Sequence, residues 1–402
     1  MVVFPFTFNF FINGLVLIII AQTIFWISVV ALFYTYIGYP LLVYAVSRLL
    51  PKSINQADFA PLVTVLITAY NEERDIRTKL ENTLQIDYPK EKLEILVASD
   101  CSNDRTDEIV KEFAAKNVKL YRQTERLGKT MAQNVAVEKA AGEIILFSDA
   151  TTMYEREVLN AMLPNFADKT VGCVAGKLIY VDDSDSTVGK GAKSYWNYET
   201  FLKEAESRAC SLIGASGCLY AVRKSAYQPM YAEACSDFLI CTILYRQGLR
   251  SVYEPNAVCT EETNRRTDKE MRMRVRVISQ TFTDLWRNRA MMNPLKSGFY
   301  AIELISHKVF RYAVPLFLLL VFFSSMILAF SSTVFVAIFG LNVAFYFLAF
   351  VAWLLERTVK SLGILAIPLY FVLTNLASLI GFYKFLRGER YARWEPIRDA
   401  KV

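Results

Sequence analysis

Histidine is almost missing from this chain: His307 is the only one in 402 residues. A single imidazole excludes His-rich metal sites and a Ser-His-Asp triad. The seven cysteines (101, 173, 210, 218, 235, 241 and 259) have no paired short spacing. They read as reduced, mostly buried thiols of a cytosolic domain, not as a disulfide framework. Charge is absent from three long stretches: 1–47, 312–355 and 361–383. A spanning helix needs roughly 20 apolar residues, so each stretch can cross a bilayer and the second can cross twice. There is no internal repeat and no low-complexity tract. The net charge of +6 offers no concentrated patch interleaved with aromatics, which argues against nucleic acid as a partner.

What is present falls into a soluble middle between membrane flanks. Residues 1–50 lack the basic start and short apolar core of a cleavable signal and read as an anchor, one long helix or two. The segment 51–290 carries most of the charge and is expected to be the soluble domain. Residues 291–311 look amphipathic enough to lie on a membrane surface. Residues 312–386 hold the C-terminal membrane helices, and 387–402 form a basic tail. Lys and Arg flank the apolar runs: Arg48 and Lys52, then Lys308 and Arg311, Arg357 and Lys360, and finally Lys384, Arg387, Arg390 and Arg393. By the positive-inside tendency all these clusters belong in the cytoplasm, with lipid headgroups or phosphates as their partners. If 312–355 is a hairpin turning near Ser331–Ser332, the tail stays inside only when 361–385 is re-entrant or interfacial. Pro368 and Asn375 interrupt that run, so this is the expected arrangement.

The soluble part alternates strands with helices of 10–15 residues, the pattern of parallel βαβ units. Strands are expected at 63–68, 93–99, 118–122 and 144–148, then at 172–181 and 218–222. Two short strands, 251–253 and 257–259, are expected to flank a Glu254-Pro255-Asn256 turn. Ligands of such sheets gather at the carboxyl ends of the strands. There lie Thr68-Ala69-Tyr70-Asn71-Glu72, Asp100 and Asp149. Carboxylates at neighbouring strand ends are costly to build without a cation or polar ligand to hold. Lys129, in the first turn of its helix, can meet phosphate oxygens beside the helix N–H groups. The plain alternatives are an Asx-turn or cap for Asp100, a turn aspartate for Asp149 and a solvated lysine for Lys129.

Six motifs in register carry a family resemblance: Thr68-Ala-Tyr-Asn-Glu-Glu73, Asp100-Cys-Ser-Asn-Asp-Arg-Thr106, Gly128-Lys129, Asp149-Ala-Thr151, Ser216-Gly217 and Ser236-Asp237-Phe238. In their order and spacing, from about residue 61 to 288, the chain resembles membrane-bound glycosyltransferases of family 2, inverting enzymes with a GT-A fold. The resemblance implies an α/β, Rossmann-like, mostly parallel sheet in the cytosol, flanked by transmembrane helices. It implies a UDP-sugar donor, with Thr68, Ala69, Tyr70, Glu72 and Asp100 around base and ribose, and Lys129 and Asp149 at the diphosphate. Mg2+ or Mn2+ would sit on Asp149, with Thr151 a weaker ligand where the family often has a second acid. Asp237 matches the aspartate that deprotonates the acceptor, and Ser216, Gly217, Arg272, Arg274 and Arg276 fall where acceptor and diphosphate meet. Ser236 replaces the usual neighbouring acid. Polysaccharide-polymerising relatives carry Gln-x-x-Arg-Trp. Here the stretch is Met271-Arg-Met-Arg274-Val275, in which only an arginine survives, and Arg272 or Arg276 takes its place if the register shifts.

These implications favour transfer of one sugar to a lipid-linked or glycan acceptor at the cytoplasmic face of a bacterial membrane, in cell-surface polysaccharide synthesis. The alternatives are a processive synthase, and a non-catalytic nucleotide-binding scaffold.

Overall fold

The computed structural model describes residues 4–181, 187–262, 267–356 and 362–393. Lys360, Arg357 and the tail beyond Arg393 lie outside the described residues. The described residues form one eight-stranded mixed sheet in the order β3-β2-β1-β4-β7-β6-β8-β5. The strands are β1 (Val63–Ala69), β2 (Leu93–Ser99), β3 (Val118–Arg122), β4 (Ile144–Asp149), β5 (Met153–Tyr154), β6 (Val171–Val181), β7 (Tyr220–Arg223) and β8 (Arg250–Glu262). The first four pair parallel with one another, and β4 then pairs antiparallel with β7. The β-branched and aliphatic runs of β1, β2 and β4 are buried on both faces, as a covered parallel sheet demands, while β3 lies at the edge.

Helices α1 (Phe4–Phe33) and α2 (Tyr39–Leu49) precede the sheet. Within it come α3 (Ile76–Leu84), α4 (Thr106–Glu112), α5 (Lys129–Lys139), α6 (Val158–Met162), α7 (Thr187–Ala209) and α8 (Ser236–Arg246). After it follow α9 (Thr267–Arg287), α10 (Pro294–Ser297), α11 (Phe299–Leu304), α12 (Arg311–Leu328), α13 (Thr333–Leu355) and α14 (Ala366–Leu386). Four helical runs among the described residues are long and apolar enough to cross a membrane: Gly14–Leu49, Phe299–Leu328, Thr333–Leu355 and Gly363–Leu386.

One open alternative closes and two expectations change here. The N-terminal anchor is one continuous helical run, α1 joined to α2 through a π-helical turn at Tyr34–Gly38. At 1.5 Å per residue its 36-residue part Gly14–Leu49 is roughly 54 Å long, well beyond a hydrocarbon core of about 30 Å. Its far end leaves the apolar layer: Tyr39 and Val43 pack on Leu202, Ala205 and Ala209 of α7. Second, the segment before α12 does not turn its polar groups to water. Glu303, Ser306 and His307 are buried. His307 lies 2.6 Å from Glu206 and 3.2 Å from Glu199, and Arg311 lies 3.0 Å from Glu199. Its amphipathic polar face is spent on α7, so the helix runs unbroken into α12.

Third, residues 254–256 are not a turn between two strands. β6 pairs with β8 on both sides of them, skipping from Gly176 opposite Glu254 to Lys177 opposite Val258. The extra residues bulge out, where Pro255 has no N–H to lose, and Glu254 Oε1 accepts from Asn256 N at 3.1 Å.

The last helix touches both α13 and the domain's α9. α14 packs against α9 through Val275, Ile278 and Ala377, with Phe282 5.0 Å from the Phe382 ring and 5.7 Å from the Phe385 ring. Beyond α14, Gln280 Nε2 donates to Tyr391 O at 2.8 Å, which returns the chain to the sheet domain. A Cβ on Gly381 would lie 2.8 Å from Ile278 Cγ2. Gly381→Leu should therefore force α9 and α14 apart and destabilise the protein by about 1–3 kcal/mol, read as a lower Tm in detergent. An unchanged Tm would mean the two helices do not pack this closely.

Candidate active site

The site is built where β1, β2 and β4 end together. Ala69 pairs with Ser99, and Thr68 with Asp149, so the loops after these strands open on one edge of the sheet. The first two loops are knotted to each other. Asn71 and Cys101 adopt left-handed backbone angles (φ 53° and 60°). Asn71 N donates to Ser102 Oγ at 3.1 Å, and Asn103 N to Asn71 Oδ1 at 2.9 Å. Glu72 is buried, and its N–H donates to Thr106 Oγ1 at 2.7 Å. Tyr70 is capped by the Arg126 guanidinium, 3.8 Å over the ring centroid. Thr68 Oγ1 is sealed in the sheet edge with no hydrogen-bond partner.

Asp100 does not stand open in this cleft. It is fully buried, and its carboxylate accepts from Gln123 Nε2 (2.6 Å), Leu127 N (2.9 Å) and Gly128 N (3.0 and 3.1 Å to its two oxygens). Burial raises its pKa against these lowering bonds. These bonds give Asp100 a task in the fold. It holds the turn that launches α5. That turn needs glycine: Gly128 has φ 98°, and a Cβ there would fall 1.9 Å from Ala392 O of the C-terminal segment.

Held in this way, Lys129 forms an ion pair with Asp149 at the end of β4. Burial opposes the ammonium, but Asp149 and, less strongly, Asp237 outweigh it and raise the pKa. Asp237, in the first turn of α8, accepts from Cys235 Sγ at 3.1 Å through Oδ1. Its Oδ2 faces Gly217, where a Cβ would lie 3.2 Å from that oxygen and 3.7 Å from Lys129 Nζ. Gly217 is thus the gap between acid and lysine. Its neighbour Ser216 accepts from the buried Lys203 Nζ at 2.5 Å.

The three candidate arginines separate. Arg272 pairs with Asp268 at 3.3 Å on an exposed turn. Arg274 turns to Glu270 (2.7 Å) and Tyr370 (2.5 Å), towards α14. Arg276 alone of the three reaches the acids. Burial lowers its pKa against the pull of Cys235, Asp149 and Asp237, and its Nε is shut from solvent without an acceptor.

Two further acids had escaped sequence reasoning. Glu261, near the end of β8, accepts from Thr151 Oγ1 at 3.1 Å. The residue is half-buried, yet burial and then the Asp149 charge push its carboxyl up to about 7. Asp284, on α9, is fully buried and accepts from Cys235 N at 3.0 Å and from the Tyr231 hydroxyl. It fixes the turn that presents Asp237. No local motif marks either residue, since each reaches the site across the fold. The loop bearing Asp149 and Thr151 is also pinned from beneath: buried Lys79 donates to Thr152 O at 2.6 Å, 3.5 Å over the Tyr154 ring.

Residues 64–230 match the family model described as glycosyl transferase family 2. The chain carries a family 2 glycosyltransferase domain. Among curated proteins it is 28% identical over 204 residues to a poly-beta-1,6-N-acetyl-D-glucosamine synthase of Staphylococcus aureus (strain COL), covering 49% of each chain. It is 29% identical over 150 residues to glycosyltransferase AglE of Haloferax volcanii, 37% of this chain and 49% of that one. The chain thus spans about half the length of the curated relatives it matches. Among solved structures, a mannosyltransferase from Pyrobaculum calidifontis in complex with GDP-Man and Mn2+ superposes with a TM-score of 0.69 at 24% identity, covering 91% of this chain and all of that one. That likeness establishes a shared GT-A fold.

Asp284 gives the domain a pH signature. Burial, opposed by the Tyr231 and Cys235 bonds, lifts its pKa to about 8, whereas an unfolded aspartate titrates near about 3.9. The native state then keeps a proton that the unfolded chain has lost. This contribution to stability is complete below about pH 4 and disappears as pH rises to about 8. The Tm difference between wild type and Asp284→Asn should therefore shrink as pH rises from 5 to 8. A difference that stays flat would show that Asp284 is ionised throughout.

Proposed function

We propose that the protein is an inverting glycosyltransferase that moves one sugar from a nucleoside diphosphate donor, a UDP-sugar, to a lipid-linked or glycan acceptor at a membrane face. The observation that carries this reading is that Lys129 and Asp237 meet at Gly217 while Lys129 pairs with Asp149. Acid and cation both face the small space that this glycine leaves.

In this reading Asp237 is the general base. Its Oδ2 takes the proton of the acceptor hydroxyl while that oxygen forms a bond to the anomeric carbon. The bond from that carbon to the diphosphate breaks, and its electron pair leaves on the phosphate oxygen. Base and leaving group act on opposite faces, so configuration inverts, and one carboxylate suffices. Lys129 and Arg276 are placed to receive the growing negative charge, Lys129 by exchanging Asp149 for phosphate. Asp100 serves by holding Gly128 and thereby the start of α5. Tyr70 and Arg126 provide the flat surface for the base.

The carboxylates beside Thr151 suit a hard divalent cation, Mg2+ or Mn2+. Among the described residues no group of three or more His, Cys, Asp or Glu side chains is gathered to hold a metal. Such a cation bound with a diphosphate needs only one or two protein carboxylates, since phosphates and water supply the rest. Asp149 would hold it, and it would supply Lewis-acid stabilisation of the departing diphosphate.

Membrane geometry supports an acceptor presented from lipid. If α12 and α13 cross as a hairpin, the chain is back on the domain's side before α14. It is on that side again at Tyr391 and Ala392, which touch Gln280 and Gly128. In this reading α14 does not cross, and it lies beneath the site with α9. Holding a polyprenyl acceptor in the same layer raises its effective concentration at Asp237.

The polymer-synthase relative favours a second reading, a processive enzyme, which product length from one labelled donor separates from single transfer. For the leading reading, Asp237→Asn should lower kcat by about 10²–10⁴-fold with nucleotide affinity unchanged, measured by UDP release and by calorimetric titration with UDP. Transfer at the wild-type rate would remove Asp237 as the base.

A further inference from the structure

The departure at Thr151 has a counterpart in space. Two residues after Asp149, a threonine stands where a second acid would complete the pair, and its hydroxyl donates to Glu261 Oε1 at 3.1 Å. β8 is led to this point by two pairings. Thr260 is opposite Met153 of β5, and Glu261 is opposite Tyr180 of β6. The turn between β4 and β5 is held against it by Lys79, which grips Thr152 O. Glu261 therefore brings its carboxylate to the Asp149–Thr151 turn on a rigid strand.

We propose that Glu261 supplies the second protein carboxylate of the divalent-cation site, replacing from β8 the acid that position 151 lacks. The assignment rests on the nucleotide-sugar reading above. Thr151 occupies only Oε1, leaving Oε2 to the cation. The hydroxyl then orients the ligand instead of ligating, as outer-shell partners do.

Two cationic side chains support a site built for oxyanions bridged by metal. Lys129 already stands on Asp149 as a positive stand-in. Arg276, drawn by both Asp149 and Asp237, keeps its Nε sealed and without an acceptor, so it lacks an oxygen that a bound diphosphate would bring. Two carboxylates and a hydroxyl form a hard-oxygen donor set suited to Mg2+ or Mn2+. Neither acid belongs to a sequence motif shared with the other.

The test is Mn2+ binding to the purified full chain in detergent, read from the electron paramagnetic resonance signal of free Mn2+, with UDP present and, in parallel, GDP. Glu261→Gln should weaken Mn2+ retention by roughly tenfold or more. UDP affinity in chelator and the Tm should remain at wild-type values. Thr151→Asp combined with Glu261→Gln should recover Mn2+ binding, because the second carboxylate returns from the β4 side. Wild-type Mn2+ binding in Glu261→Gln would overturn the assignment, as would failure of the double variant to recover it, or an absence of Mn2+ binding by the wild-type chain with either nucleotide. A chain that binds Mn2+ through Glu261 yet transfers no sugar would overturn the transferase reading and leave this site standing.

Discussion

The ion pair between Lys129 and Asp149 joins the start of α5 to the end of β4, and the site is arranged around it. As a partly exposed pair it contributes little stability by itself. Its importance is positional. Lys129 can stand there only because Asp100, itself buried at the end of β2, gathers the Leu127 and Gly128 amides and turns the backbone into α5. A carboxylate is thus consumed inside the fold to aim a cation at a second carboxylate. An anionic phosphate can replace Asp149 beside Lys129, and a cation can replace Lys129 beside Asp149, which makes the pair suited to open and re-form.

Helix α9 ties this polar centre to the apolar layer. Val275, Ile278 and Phe282 face α14, while Arg276 and Asp284 face the acids and the turn before α8. Arg276, the Asp284 carboxylate that holds the turn before Asp237, and the packing against α14 share one element. A displacement of α14 would reach Asp237 through Asp284 and Asp149 through Arg276, without passing through the sheet. The C-terminal segment closes the same circuit, since Tyr391 is bonded to Gln280 of α9 and Ala392 rests on Gly128.

Much of this was legible from local pattern. The β-branched runs ending in Thr68, Ser99 and Asp149, and the helices between them, appear as expected because a doubly covered parallel strand must be apolar throughout. The relation of Asp237 to the start of α8 was equally visible. The misreadings share one origin. Glu254-Pro255-Asn256 looks like a turn by composition, but β6 pairs on both sides and makes it a bulge. Residues 291–311 look interfacial by their periodicity, but Glu199 and Glu206 of α7 claim His307 and Arg311 of their polar face.

The chain alone therefore determined where strands end, which stretches are apolar enough for a membrane, and that acids and a lysine would gather at one sheet edge. These depend on neighbouring residues, whose periodicity and turn chemistry act over a few positions. Only tertiary structure decided that Asp100 turns inward, that Arg276 and not Arg274 faces the acids, and that Glu261 lies beside Thr151, 110 residues away. Strand pairing and helix packing choose such partners, and no short-range pattern records which distant side chain arrives.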